Sequence, residues 1–378
     1  MKYVFFLICL GIFTVACNNE PQSPLDIALQ SEHPAISKVM ERSDYFEVQI
    51  LYTQIERDST GKVSFKDHSF RLDSTHYFYP ASTVKFPTAV LALEIIEPSH
   101  KLHTNSTYYL SQDTVPHSIA DDVRQIFTVS DNAANNRLYE LMGRDYINGK
   151  LTSKGIPSVR IAHRLSVARA SYPRLDTLRF TYQDTFITWA AVPDSPLYPL
   201  DHNKFDGLKK GKGFMRNDSL IDQPMDFSEK NHFPLQAQHE LMKRIFFPEN
   251  FEVSERIQIS EATLQLLKKH MHLVPRKNGY EESDYYDGYC KFFLFGDTKE
   301  RIPDHIKIYN KVGYAYGTLT DTAYIVDEKE GIDFLLSATI LVNQNGIFND
   351  DTYEYDEIGI PFLAQLGREI HRQEKMEK

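Results

Sequence analysis

The fold is decided by a short stretch, YPASTVK at residues 79–85, which runs into the apolar segment 89–93. A segment that is apolar nearly all round predicts a buried central helix, here with a serine at its start. Ser82 would lie among unpaired backbone N–H groups, whose field favours an alkoxide. Lys85 lies one turn further on the same face. Ser82 is therefore predicted to be a nucleophile and Lys85 its base, if burial or a second cation lowers the pKa of Lys85.

A second motif, SDN at residues 130–132, precedes a helical pattern. Its serine, Ser130, can relay a proton to a leaving nitrogen, and the amide of Asn132 can bind a peptide-like substrate. Asp131 is predicted to brace the loop. The plainer alternative is that Ser130 and Asp131 only cap the helix, just as Ser82 could be a cap and Lys85 a surface residue.

A third motif, KVGY at residues 311–314, ends a predicted strand. The ammonium of Lys311 can hold a substrate carboxylate, orient Ser130 and keep Lys85 deprotonated. Gly313 allows the backbone to approach a ligand closely. The backbone N–H groups of Ser82 and Tyr314 are predicted to form an oxyanion hole.

In this order, the motifs resemble those of the class A β-lactamase and penicillin-recognising serine hydrolase superfamily, over about residues 40–375. The resemblance rests on YPASTVK at 79–85, SDNAAN at 130–135 and KVGYAYGTLTD at 311–321. It implies a covalent acyl-serine intermediate with a β-lactam, peptide or ester. It also implies a substrate-binding role for Val312, Gly313 and Tyr314, beside that of Asn132.

Strand patterns near both termini, with helical patterns between them, predict the fold class. We expect an α+β fold with an antiparallel five-stranded sheet flanked by helices and an inserted all-helical lobe. The catalytic domain is predicted to span residues 25–378. Within it, the sheet lobe covers about 25–80 and 300–378, the helical lobe about 82–295, and an insertion rich in loops about 175–232.

Two departures from the family pattern bear on turnover. Class A enzymes have a glutamate beyond the SDN motif that activates the deacylating water, yet no Asp or Glu occurs between Asp145 and Asp176. The remaining candidates for that role are Asp176, Asp184, Glu281 and Glu282. Val312 replaces the usual Thr or Ser, which removes a hydroxyl donor for a substrate carboxylate. These departures predict slow deacylation.

The N-terminus predicts export. Lys2 precedes an apolar run at residues 3–16 that is too short to span a membrane, and Cys17 and a polar tether at 18–24 follow. This resembles a lipoprotein signal, residues 1–17, in which Cys17 is lipidated and anchors the protein to a bacterial membrane facing the periplasm or cell exterior. The alternative is an ordinary cleaved secretory signal.

Charge and composition exclude other classes. The net charge of −10 argues against a nucleic-acid partner. Cys290 is the single cysteine beyond residue 17, so an internal disulfide is not expected and a buried thiol is the simplest interpretation. No metal-binding spacing occurs, and we expect no metal, no cofactor and a monomer.

The leading hypothesis is a serine hydrolase of class A β-lactamase fold that acts on β-lactams or related amides and esters. One alternative is a D-Ala-D-Ala peptidase or transpeptidase that acts on cell-wall peptides. The other is a non-catalytic sensor that binds peptidoglycan or β-lactams.

Overall fold

A computed structural model describes residues 22–111, 113–156 and 158–378. The predicted signal peptide, the lipidation site Cys17 and most of the tether lie outside the described residues. The helices are α1 Pro24–Leu29, α2 Pro34–Met40, α3 Lys85–Ile96, α4 Ile119–Val129, α5 Asn132–Ser153, α6 Leu235–Phe246, α7 Glu261–His272, α8 Phe292–Phe295 and α9 Ile360–Met376. The strands are β1 Gln49–Arg57, β2 Val63–Phe70, β3 Tyr108–Leu110, β4 Thr177–Tyr182, β5 Thr185–Ala190, β6 Lys209–Lys210, β7 Gly213–Arg216, β8 Ser219–Ile221, β9 Met225–Asp226, β10 Ile306–Ala315, β11 Thr318–Asp327, β12 Ile332–Leu341 and β13 Ile347–Phe348.

The main sheet joins the two ends of the chain. Its strand order is β10-β11-β12-β1-β2, and every neighbouring pair is antiparallel. Strand β10, which contains the third motif, is at the edge of the sheet. Its register with β11 places Lys311 opposite Thr322 and Gly313 opposite Thr320. The predicted α+β fold with a five-stranded antiparallel sheet is confirmed.

Helices cover both faces of this sheet. Alternate residues of β12, such as Phe334 and Leu336, pack with α9 in one core, while Leu335 faces a second core that contains α3 and α5. Helix α3 is buried along almost its whole length, as its apolar sequence predicts. The sheet therefore gives the central helix and the nucleophile at its start a rigid support.

The N-terminal helix differs from the expectation. The sequence predicts one helix over residues 25–42, from an apolar stripe made of Leu25, Ala28, Ile36, Val39 and Met40, but α1 and α2 are separate. Pro34 explains the break, because proline restricts the residue before it to extended backbone. His33 has that conformation, and its ring nitrogen accepts a hydrogen bond from the Ala35 N–H as the cap of α2.

The inserted lobe is not all-helical, because it also contains small sheets. Strands β3, β4 and β5 form one, β6 and β9 a second, and β7 and β8 join β13 in a third. The signal missed in the sequence is the alternation of buried Leu178 and Phe180 with exposed Arg179, followed by a two-residue turn. The segment 175–232 is thus built of short strands rather than loops alone.

Among the described residues, no helix has the length and apolar character needed to cross a membrane.

Candidate active site

The nucleophile candidate lies in a tight turn. Ser82 belongs to a 3₁₀ turn, Ala81–Val84, and α3 begins only at Lys85, so the expected α-helical start at Ser82 is displaced. The turn is closed by Thr83, whose N–H and hydroxyl both donate to the carbonyl of Pro80, at 3.1 and 2.7 Å. Side chains three residues apart eclipse one another in 3₁₀ geometry. The 3₁₀ turn therefore keeps the side chains of Ser82 and Lys85 on the same side of the helix axis.

Two buried lysines converge on Ser130. Lys85 donates to the backbone carbonyl of Ser130 and, at 3.2 Å, to its hydroxyl oxygen. Lys311 donates to the same hydroxyl oxygen at 2.8 Å and to the carbonyl of Val312 at 2.8 Å. The three predicted motifs thus meet in space. Within the described residues, Lys85 makes these contacts and no hydrogen bond to the Ser82 hydroxyl.

The surroundings favour the neutral form of Lys85. Burial, and then the nearby charge of Lys311, lower the pKa of Lys85 well below its ordinary value. Burial lowers the pKa of Lys311 to about 8, so this lysine still holds its proton at neutral pH. The pair can therefore supply a base and a cation at the same time.

The SDN motif turns the chain between two helices. Ser130 ends α4 in a left-handed conformation, with φ 59° and ψ 41°. Asp131 caps α5, because its carboxylate accepts a hydrogen bond from the Ala134 N–H at 2.7 Å. Asn132 donates from its amide to the Ser166 hydroxyl at 3.0 Å. Of the two residues, Asp131 caps the helix, and the Ser130 hydroxyl accepts hydrogen bonds from the two lysines instead.

The KVGY segment passes close to the serine turn. A Cβ at Gly313 would lie 2.6 Å from the Pro80 oxygen and 2.9 Å from the backbone nitrogen of Ser82. Val312 packs into the core of the sheet and is 1% exposed, so its side chain is not brought to the site. Tyr314 is 48% exposed and faces the cleft.

The site opens into a cleft of about 910 Å³, lined by Ser82, Asn132 and Tyr314 among others. None of the four predicted deacylation candidates lines it. Asp176, for example, accepts hydrogen bonds from the Ser111 hydroxyl and from the Thr177 N–H.

The acidic residues that do line the cleft are Asp226, Glu229 and Asp351. They come from the inserted segment and a C-terminal loop, so no local sequence pattern could have placed them there. Among residues 22–111, 113–156 and 158–378, no group of three or more His, Cys, Asp or Glu side chains is placed to hold a metal ion.

The segment 162–169 forms another wall of the cleft. Arg164 anchors it by donating to Glu140, at 3.0 Å from one terminal nitrogen, and to the carbonyls of Tyr172 and Arg174 at 2.8 and 2.9 Å. The Nδ1 atom of His163 lies 2.6 Å from the carbonyl oxygen of Arg164. Burial lowers the pKa of His163 to about 4, so the ring is neutral at pH 7.

The beta-lactamase enzyme family has a sequence model that matches residues 33–192. The match includes Ser82, Lys85 and the SDN motif and ends before Lys311. It confirms the predicted resemblance to the penicillin-recognising serine hydrolase superfamily and supports a hydrolase of the β-lactamase type. No curated protein matches the sequence.

Solved structures similar to the chain include three β-lactamases. One, from Desulfarculus baarsii, is 13% identical, with 87% of this chain and 93% of that chain covered and a TM-score of 0.49. Another, from Sphaerobacter thermophilus, is 13% identical, with 92% and 94% covered and a TM-score of 0.46. The carbapenemase VCC-1 from Vibrio cholerae is 14% identical, with 87% and 96% covered and a TM-score of 0.47. Such low similarity defines neither substrate nor activity, and the fold is established by the chain's own strand order.

Proposed function

We propose that this protein is a serine hydrolase that forms an acyl-serine intermediate with β-lactams or related amides and esters. The observation that carries the proposal is the convergence of two buried lysines, Lys85 and Lys311, on the hydroxyl of Ser130. Lys85 is one turn from Ser82, which lines the cleft. Burying two cations is unfavourable unless each has a partner, so an arrangement of this kind is typical of a functional site.

The proposed acylation uses these groups in the following order. Neutral Lys85 takes the proton of the Ser82 hydroxyl, and the serine oxygen forms a bond to the substrate carbonyl carbon. The carbon–nitrogen bond then breaks, Ser130 transfers its hydroxyl proton to the departing nitrogen, and Lys85 returns the proton it took from Ser82 to Ser130. Lys311 orients Ser130 throughout. The backbone N–H groups of Ser82 and Tyr314 stabilise the negative carbonyl oxygen of the intermediate.

We propose that deacylation is slower than acylation. The segment 162–169, where class A enzymes are expected to carry the deacylating glutamate, contains basic residues and no carboxylate. The three cleft carboxylates belong to other loops. Slow deacylation also suits the second candidate, a peptidase or transpeptidase of cell-wall peptides.

The first prediction concerns Ser82. The mature protein is expected to gain the mass of one penicillin or one cephalosporin in a time course of intact-mass spectra. Ser82→Ala should abolish the adduct completely, because the bond to the acyl carbon cannot form. The matched control is Ser171→Ala, which removes another hydroxyl from the cleft wall.

Four outcomes of this experiment are informative. An adduct that persists for hours favours the peptidase or transpeptidase, and one that turns over rapidly favours the β-lactamase. An adduct that survives Ser82→Ala, or ligand binding without any adduct in the wild type, contradicts the proposal. The latter result would point to a sensor.

We also propose that the protein is exported and anchored to a membrane through a lipid on Cys17, a proposal that rests on the N-terminal sequence. Metabolic labelling with an alkyne-bearing fatty acid tests it in bacterial cells. The full-length chain should be labelled and Cys17→Ala should not. Equal labelling of the two, or none of either, would contradict the anchor.

A further inference from the structure

The cations on the cleft wall differ in whether they are free to bind a ligand. Arg164, His163 and Lys230 all line the cleft. The guanidinium of Arg164 is occupied by Glu140 and by backbone carbonyls of its own loop. His163 is neutral at pH 7, since burial lowers its pKa to about 4. Lys230 is thus the cleft cation whose charge is available.

The ammonium of Lys230 is unpaired. Among the residues that the structure describes, it makes no hydrogen bond and no ion pair; burial lowers its pKa, and the nearby charge of Glu229 partly offsets that effect. It lies 5.9 Å from the ring centroid of Tyr316, a weak cation–π distance. The ring of Tyr316 in turn packs edge-on against Tyr79 at 5.1 Å, three residues before Ser82. This chain of contacts places Lys230 on the same side of the cleft as the nucleophile turn.

The backbone of Lys230 is held firmly. Arg160 donates from one terminal nitrogen to the carbonyl of Lys230 at 2.6 Å and to that of Ser228 at 2.5 Å. The side-chain oxygen of Asn231 accepts from the Ala162 N–H at 2.7 Å. Because the backbone is already fixed, binding an anion would order only the side chain of Lys230, which limits the entropic cost of recognition.

Lys311 is poorly placed to take that role alone. Two of the three N–H groups of its ammonium already donate, to the Ser130 hydroxyl and the Val312 carbonyl, and the side chain of Val312 lies in the core. We propose that Lys230 binds the carboxylate of the acyl substrate and so selects substrates that carry an anionic group. This rests on the proposed function, and it assigns a specificity role to the inserted segment 175–232.

The test measures binding without acylation. In the Ser82→Ala background, titration calorimetry compares a penicillin that has a free carboxylate with the methyl ester of the same penicillin. We expect the carboxylate form to bind about tenfold more tightly, as one charge-assisted hydrogen bond predicts. Adding Lys230→Gln should remove that preference. Adding Lys212→Gln, at an exposed lysine of the inserted segment that does not line the cleft, should preserve it.

The results separate this inference from the proposed function. Equal affinity for the two probes in Ser82→Ala overturns the inference, as does a preference that survives Lys230→Gln or the absence of binding by either probe. A wild-type protein that gains no acyl mass contradicts the proposed function, while the calorimetric comparison still decides the role of Lys230. Circular dichroism of each variant checks that its fold is unchanged.

Discussion

Individual residues show how far a motif can be read without coordinates. The spacing of Ser82 and Lys85 predicts a pair on one face, and the structure keeps them one turn apart. Lys311 is predicted to orient Ser130, and it donates to the Ser130 hydroxyl. The direction of the Val312 side chain could not be predicted from the motif in the same way. Whether a strand residue faces the ligand or the core depends on the register of the sheet, and a one-residue change reverses it.

The charge of Lys311 leads to a prediction about pH. Because this charge is the second cause of the low pKa of Lys85, after burial, Lys311→Met should raise the pKa of Lys85. Less Lys85 would then be neutral at pH 7, and acylation should slow there. Above about pH 8, where Lys311 loses its own proton, the difference from the wild type should shrink to the constant loss caused by the missing hydrogen bond to Ser130. Stopped-flow measurement of the acylation rates of the wild type and the variant, at about ten pH values from pH 6 to 10, would give the two pH profiles.

A matched variant separates this effect from lost packing. Lys291 is also buried, donates to Asn310 at 2.6 Å, and is not among the causes of the shift at Lys85. Lys291→Met should therefore lower stability without moving the pH profile. If Lys311→Met changes the rate equally at every pH, the coupling between the two lysines is refuted.

At the scale of elements, the edge strand β10 positions the nucleophile turn. Gly313 lies where an added Cβ would meet three backbone atoms, of Pro80, Ser82 and Thr83, within 2.6–2.9 Å. Backbone atoms cannot move aside as a flexible side chain can. The strand and the 3₁₀ turn are therefore in direct contact, and the requirement for glycine at this position is steric.

Gly313→Ala should displace the turn and disrupt the site. We expect a loss of about 1–3 kcal/mol in the free energy of unfolding, as for other overpacked sites, together with a large fall in the acylation rate. Gly149→Ala is the matched control, because no atom lies within 4 Å of the added Cβ and the residue is inside α5. This control should be neutral or stabilising by up to about 1 kcal/mol. Urea denaturation and intact-mass kinetics measure both quantities, and wild-type acylation by Gly313→Ala would contradict the steric role.

At the scale of the whole molecule, a cluster of charges joins the sheet lobe to the inserted segment. Glu47, just before β1, lies 2.5 Å from the ammonium of Lys210 and 3.2 Å from the ring of His76. His76 also lies 3.0 Å from Asp206. Segments distant in sequence are thus held together at the edge of the domain.

This cluster predicts how stability changes with pH. The hydrogen bond to Glu47 raises the pKa of His76, so the contribution of His76 is fully present below pH 6.5 and is lost as pH rises through the raised pKa. Because the imidazole is partly exposed, the effect should be on the order of 1 kcal/mol or less. His76→Gln should therefore destabilise the protein near pH 6 and have less effect near pH 8.5.

Urea unfolding of the wild type and the variant at the two pH values measures the difference. His202→Gln, at an exposed histidine of the inserted segment, should change neither value. A His76→Gln effect that is the same at both pH values would show that the imidazole acts by packing rather than by charge.

The sequence by itself determined the α+β class and the buried central helix, because these follow from periodicity. Its short motifs also predicted the candidate site residues Ser82, Lys85, Ser130, Asn132 and Lys311. Only the tertiary structure decided that β3 and β13 pair with strands of the segment 175–232, that Val312 faces the core and that Lys230 lines the cleft. The reason is physical: local patterns specify elements, whereas the composition of a cleft wall depends on which distant segments pack together, and many different sequences can satisfy that packing.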